Sequence, residues 1–104
     1  MSTAKLSHTV AIILKALSLG YQFGFEIMDV TGLPSGTVYP ALRRLERDAM
    51  VSSNWEAEDE ASKEQRPARR YYALTRLGRQ AELMATKRYP LLTGALPQKL
   101  VKSI

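Results

Sequence analysis

Apolar residues recur along this chain with two different periods, and the change of period marks a change of structure. Leu6, Val10, Ile13, Leu14 and Leu17 fall at i, i+4, i+7, i+8 and i+11, one face of a helix that runs to about Leu19. Thr3 or Ser7 supplies a cap at its start, and Gly20 suits a left-handed residue just past its end. A shorter helix is predicted from about Phe23 to Thr31, with Phe23, Ile27 and Val30 inward and Gly32 as its stop. After the brief Gly32-Leu33-Pro34 connection, a third helix runs to about Asp48 and buries Val38, Leu42 and Leu45. Pro40 constrains where that helix begins. With Ser35 as cap it deletes a bond in the second turn; with Thr37 as cap it falls in the first turn, where its missing N–H has no partner to lose. The start is read as loose up to Thr37.

Beyond Met50 the period becomes two. Val51, Ser53 and Trp55 alternate with Ser52, Asn54 and Glu56, as in a strand with one buried face. A polar stretch, Ala57 to Ala68, separates it from a second strand, Arg69 to Leu74, whose Tyr72 and Leu74 point inward. Trp55 is assigned to the core at the junction of this hairpin with the helices, in preference to a platform for stacking a ligand. Thr75 caps a last helix that buries Leu77, Ala81 and Met84 and continues to about Tyr89. The tail from Leu91 to Ile104 is only weakly helical, being broken by Gly94 and Pro97. The expected fold is mostly α with a small β-hairpin wing. It follows the order of a winged helix-turn-helix: a three-helix core, a two-stranded wing and a C-terminal dimerisation helix. Residues 1–75 form the winged unit, and residues 76–104 form the closing helix and tail.

Charge narrows the partner. The net charge is +5, but residues 56–64 hold five acids and one lysine, so this stretch sums to −4 and the rest of the chain to +9. A basic body with one acidic segment is suited to a polyanion, nucleic acid above all. With no cysteine there is no disulfide framework, thiolate metal site or thiol nucleophile, and a reducing, cytoplasmic setting is expected. The longest purely apolar run, Val10 to Leu14, is too short to span a bilayer, so no membrane partner is expected.

Opposite the apolar face of the third helix runs a polar stripe: Gly36, Tyr39, Pro40, Arg43, Arg44 and Arg47. A helix that enters the major groove needs small or hydroxylated residues at its leading end and long hydrogen-bonding side chains behind them. Ser35, Gly36 and Thr37 meet the first need, and Tyr39 and Arg43 the second. The competing explanation, a solvated basic face with Arg47 paired to a neighbouring carboxylate, accounts for Arg47 and Arg44 but leaves the Ser35-Gly36-Thr37 start and Tyr39 unexplained. Lys63, Arg66, Arg69 and Arg70 lie on or beside the wing, where cations hold phosphate or enter the minor groove. The sites expected to meet DNA are therefore Ser35, Gly36, Thr37, Tyr39, Pro40, Arg43, Arg44, Lys63, Arg66 and Arg69.

Ser35-Gly36-Thr37-Val38-Tyr39-Pro40-Ala41-Leu42-Arg43-Arg44-Leu45-Glu46 resembles the recognition-helix signature of the PadR family of bacterial regulators. Phe23-Gly24-Phe25-Glu26-Ile27, Trp55, and Arg66-Pro67-Ala68-Arg69-Arg70-Tyr71-Tyr72-Ala73-Leu74-Thr75 leading to Gly78 match the same pattern in the same order. Gln65 departs from it, standing where the wing usually has glycine. The resemblance implies a winged-helix DNA-binding domain, a dimer built largely with the C-terminal helix, and repression relieved by a small molecule or another signal.

Other constellations are weak. His8 is the sole histidine, and Glu58, Asp59 and Glu60 lie in a polar stretch that offers no burial to raise a carboxyl pKa. No phosphate-binding glycine loop, nucleophile elbow or Ser/His/Asp set is present, so no enzyme activity, catalytic residue, cofactor or metal is expected. The sequence predicts a double-stranded-DNA-binding regulator acting as a homodimer. The alternative is a winged-helix module for protein interaction or dimerisation that reads no DNA sequence.

Overall fold

Ser7 starts the first helix: its side chain accepts a hydrogen bond from the Val10 N–H at 3.2 Å. The structure is a computed structural model that describes residues 6–99. The alternative cap Thr3 and the end of the tail lie outside the described residues. Three helices come first: α1 (His8–Ser18), α2 (Gly24–Thr31) and α3 (Ser35–Arg47). Strand β1 (Val51–Trp55), a short helix α4 (Glu58–Lys63) and strand β2 (Arg70–Leu74) follow. Helix α5 (Arg76–Arg88) and a 3₁₀ turn (Pro90–Leu92) close the chain. The fold is mostly helical with one two-stranded antiparallel sheet, as expected of a winged helix.

The core is built where the helical period placed it. Ile13, Leu14, Ile27, Val38 and Leu42 are wholly buried, and Leu17, Leu45, Val51 and Tyr72 join them. Gly20 and Gly32 take the left-handed conformation after α1 and α2, as expected. Helix α3 starts earlier than predicted. Its first carbonyl acceptor is Pro34, bonded by the N–H groups of Thr37 and Val38 at 2.9 and 3.0 Å, so Thr37 is not its cap. Pro40 therefore sits in the second turn, and the bond it cannot make to the Gly36 carbonyl is forgone. The helix end also carries strain. Ala49 lies at φ 63°, closing the helix through a Met50 N–H to Leu45 carbonyl bond of 2.9 Å.

The strands pair in register from Val51 opposite Leu74 to Trp55 opposite Arg70. On the free edge of β2, Phe23 bridges Tyr71, and the Tyr72 N–H donates to the Gln22 carbonyl at 2.7 Å. The wing root is thus tied to the start of α2. Two expectations need correction here. Trp55 is 66% exposed, because β1 runs outward past the helices and only its first residue, Val51, reaches the core. The polar stretch is not all loop: α4 forms in it, with Glu58, Asp59 and Glu60 in its first turn, where the helix dipole favours acids, and Ala61 buried beneath. Gln65 ends that segment at φ 57°, so the position where the family pattern has glycine does adopt a glycine-like backbone.

Helix α5 is rotated from its predicted setting. Thr75 caps it as expected, accepting from the Gly78 N–H at 3.0 Å. Its buried face, however, is Gly78, Ala81, Glu82 and Ala85, while Leu77 and Met84 are exposed along with Leu83. Small residues let α5 lie close against the rest of the fold. A Cβ on Gly78 would run into the Met50 carbonyl oxygen, and Ala85 packs with Ala11 of α1 and Leu92. Glu82 is carried into this seam with Lys15 at 3.6 Å and the Thr86 hydroxyl at 3.0 Å. The tail folds back, its Pro97 carbonyl accepting from the Tyr21 hydroxyl at 2.7 Å.

Gly78→Ala should destabilise the protein by roughly 1–3 kcal/mol through overpacking against backbone. Ala49→Gly should stabilise it by about 0.5–1 kcal/mol by relieving the left-handed alanine. Urea denaturation of both variants checks the two signs.

Candidate nucleic-acid interface

The polar face of α3 is open along its length. Ser35 and Gly36 are exposed at its start, Thr37 and Pro40 are half-buried beside them, and Arg43, Arg44 and Arg47 are exposed further along. Among the described residues neither Arg43 nor Arg44 forms an ion pair, whereas Arg47 reaches Asp48 at 3.6 Å in an exposed contact that adds little. Tyr39 is 37% exposed, and its ring rests on the start of α2. That contact exists because residue 24 is glycine: any Cβ there would penetrate the Tyr39 ring.

The wing cations are sorted by two glutamates. Arg66 turns back onto Glu56, its guanidinium nitrogens 2.5 and 2.8 Å from the two carboxylate oxygens. It is not free at the tip. Glu56 also accepts from the Arg69 N–H at 3.2 Å and the Tyr71 hydroxyl at 3.4 Å, while its own N–H donates to the Arg69 carbonyl at 2.7 Å. These bonds, the Arg66 guanidinium first among them, hold the Glu56 carboxyl at about 2 against an ordinary 4.5, although partial burial opposes them. The same pairing raises the Arg66 pKa. Arg70 is likewise taken: Glu46 lies 3.1 Å from its guanidinium, and Ser53 bridges them with bonds of 3.0 and 2.6 Å.

Lys63 and Arg69 are left. Lys63 is exposed at the end of α4, and Arg69 lies over the Phe23 ring at 4.1 Å with no carboxylate partner among the described residues. Of the wing residues expected to meet DNA, the fold brings Arg66 and Arg69 into one groove with Tyr39 of α3; Lys63 stands apart from that groove. Sequence reasoning missed Glu46, Glu56 and Gly24. The strand register puts Trp55 opposite Arg70, so an acid at residue 56 meets Arg69 directly; the acidic run that follows hid this single structural member.

Residues 13–83 match the family model described as the transcriptional regulator PadR-like family. A PadR family transcription regulator from Clostridium difficile R20291 is 22% identical, with a TM-score of 0.70 over 85% of this chain and 93% of that one. A PadR-like transcription factor from Bacteroides fragilis is 23% identical, with a TM-score of 0.61 over 82% and 84% of the two chains. BpsR from Bordetella bronchiseptica, whose DNA binding is regulated by 6-hydroxynicotinic acid, is 17% identical, with a TM-score of 0.69 over 91% of this chain and 67% of that one. No curated protein sequence matches the chain.

The depressed Glu56 pKa sets a pH dependence. Its stabilising effect is complete above the unfolded carboxyl pKa, near 4.5, and is lost as pH falls through about 2. The stability difference between the protein and Glu56→Gln should therefore be largest at neutral pH and shrink steadily below about pH 4.5. Denaturation series at several pH values measure this, and a difference independent of pH would remove the ionised clasp.

Proposed function

The chain belongs to the transcriptional regulator PadR-like family, and on that premise we propose that it is a sequence-specific repressor that binds a near-palindromic operator in double-stranded DNA as a homodimer. The observation that carries this reading is the outward face of α3, where Arg43 and Arg44 stand exposed and unpaired, among the described residues, behind the open Ser35-Gly36-Thr37 start. In the major groove Arg43 is long enough for a bidentate contact to guanine, Tyr39 lies one turn before it, and Arg44 reaches the backbone. Pro40 stiffens the stripe between them. Lys63 and Arg69 hold phosphate from the wing, and Arg66 acts through its grip on Glu56.

Leu77, Leu83 and Met84 give the dimer its apolar surface, being exposed on α5 and unused by the core. A dimer built there presents two recognition helices about 34 Å apart, one turn of DNA. The regulation of BpsR by 6-hydroxynicotinic acid supports a small-molecule effector here as well, acting in the cytoplasm beside the DNA. A protein-interaction module is the weaker reading, because the outward face of α3 is cationic where such a module would be apolar.

Mobility shifts with the DNA upstream of the protein's own gene test the reading, and affinity should fall by about 10³–10⁵ between roughly 50 and 200 mM salt. Arg43→Ala should lower the ratio of operator to scrambled-DNA affinity, losing about 1–3 kcal/mol on the operator. Arg69→Ala should weaken both DNAs alike and reduce the salt slope by about one unit. If the two variants behave alike, α3 is not the base-reading element. Light scattering of the double variant Leu83→Glu, Met84→Glu should report a monomer; a persistent dimer would place the interface elsewhere.

A further inference from the structure

Between the start of α2, the outward face of α3 and the root of the wing lies a groove of about 510 Å³. Phe23, Phe25, Tyr39, Trp55, Pro67 and Arg69 form most of its wall. Two of its rings are out of place for a monomer's surface: Phe25 is 68% and Trp55 66% exposed. Neither packs into the core, and both face an opening that also holds a cation. Arg66 and Arg70 are neutralised by Glu56 and Glu46, so Arg69, set over Phe23 at 4.1 Å, is the groove's cation without a carboxylate partner among the described residues.

Exposed rings beside one unpaired guanidinium define the ligand's chemistry. A cationic ligand is repelled by Arg69, a bare phosphate leaves the rings in water, and a purely apolar ligand leaves the guanidinium without a partner. A nucleotide unit satisfies both, with its phosphate on the guanidinium and the apolar face of its sugar on the rings. Tyr39 belongs both to the outward face of α3 and to the groove wall, so a strand passing from that face to the wing crosses the groove.

We propose that this groove holds one nucleotide unit of the bound DNA backbone, its phosphate on Arg69 and its deoxyribose against Trp55 and Phe25. The proposal rests on the DNA-binding reading above and adds to it an apolar contact that carries no counterion. Affinity lost at Trp55 or Phe25 is therefore independent of salt, whereas affinity lost at an arginine is not.

The test is fluorescence anisotropy with a labelled duplex of about 20 base pairs and mixed sequence, across a salt series. Trp55→Ala and Phe25→Ala should each bind about five- to tenfold more weakly at every salt concentration, the loss expected from uncovering part of an aromatic ring. Their salt slopes should equal that of the unaltered protein, and Trp55→Phe should recover most of the affinity. Thermal melts check folding. Should Trp55→Ala loosen the wing through Arg70, Phe25→Ala, at an exposed helical position, still decides the matter. Variants that bind as tightly as the unaltered protein, or that lose salt slope as Arg69→Ala does, would overturn the proposal. So would thymidine monophosphate shifting the indole N–H resonance of Trp55, the chain's only tryptophan, while the variants keep full duplex affinity, since the groove would then take free nucleotides. If the unaltered protein binds no duplex at any salt, the DNA-binding reading itself fails; the other outcomes leave that reading standing.

Discussion

The Glu56 carboxylate ties together the two ends of the wing connection, and the arrangement of charge around the groove between wing and α3 depends on it. It gathers the Arg66 guanidinium, the Arg69 N–H and the Tyr71 hydroxyl around a single group at the end of β1. Without such an anchor the segment from Glu56 to Arg69 would join two short strands by a long, unsupported loop, and loop closure would oppose pairing. With it, α4 is held as a small lobe whose acids face solvent. Glu46 does the same for Arg70 from α3, through Ser53. The two carboxylates thus take two of the groove's cations into structure and leave Arg69 as the one without a carboxylate partner among the described residues.

Legibility in the sequence followed the strength of the periodic signal. The inward faces of α1 and α3 were readable because Ile13, Leu14, Val38 and Leu42 are large, regularly spaced and matched by polar residues opposite. Helix α5 misled for the converse reason. Its apolar stripe is the more conspicuous one, yet the fold buries the face of small residues, because close approach to the Met50 carbonyl and to α1 requires them. Trp55 misled similarly: alternation gives the face of a strand but not how far the strand extends beyond its support. Pro40 shows a third limit. A proline favours the first turn, but the Pro34 carbonyl begins α3 earlier and leaves one bond unmade in the second turn.

The candidate site was legible in one half only. Residues on α3 could be sorted by helical period alone, and the fold leaves their side chains on the outward face with Tyr39 braced by Gly24. Wing residues could not, since an arginine's availability depends on whether a carboxylate lies across the strand pair. Arg66 and Arg69 stand three positions apart and look equivalent, but among the described residues only Arg66 is held in an ion pair.

The exposed apolar residues of α5 gain meaning from where that helix begins. Thr75 follows β2 directly; its hydroxyl donates to the Ala49 carbonyl at 2.6 Å and accepts from the Gly78 N–H at 3.0 Å, while its N–H donates to the Met50 carbonyl at 3.0 Å. The end of α3, the end of the wing and the start of α5 are therefore joined at one residue, with Gly78 pressed onto the same turn of backbone. A linker there would let the recognition helix swing relative to any partner subunit. If α5 packs against a second copy, as proposed, a junction tied in this way instead makes the orientation of α3 a function of how α5 meets that copy. On the dimeric reading, the spacing of two half-sites is set by the packing of Leu77, Leu83 and Met84 and carried to α3 through Thr75. Any signal that shifts α5 by a fraction of a helical turn then changes the spacing of the reading heads, with no change needed in the surface that touches DNA.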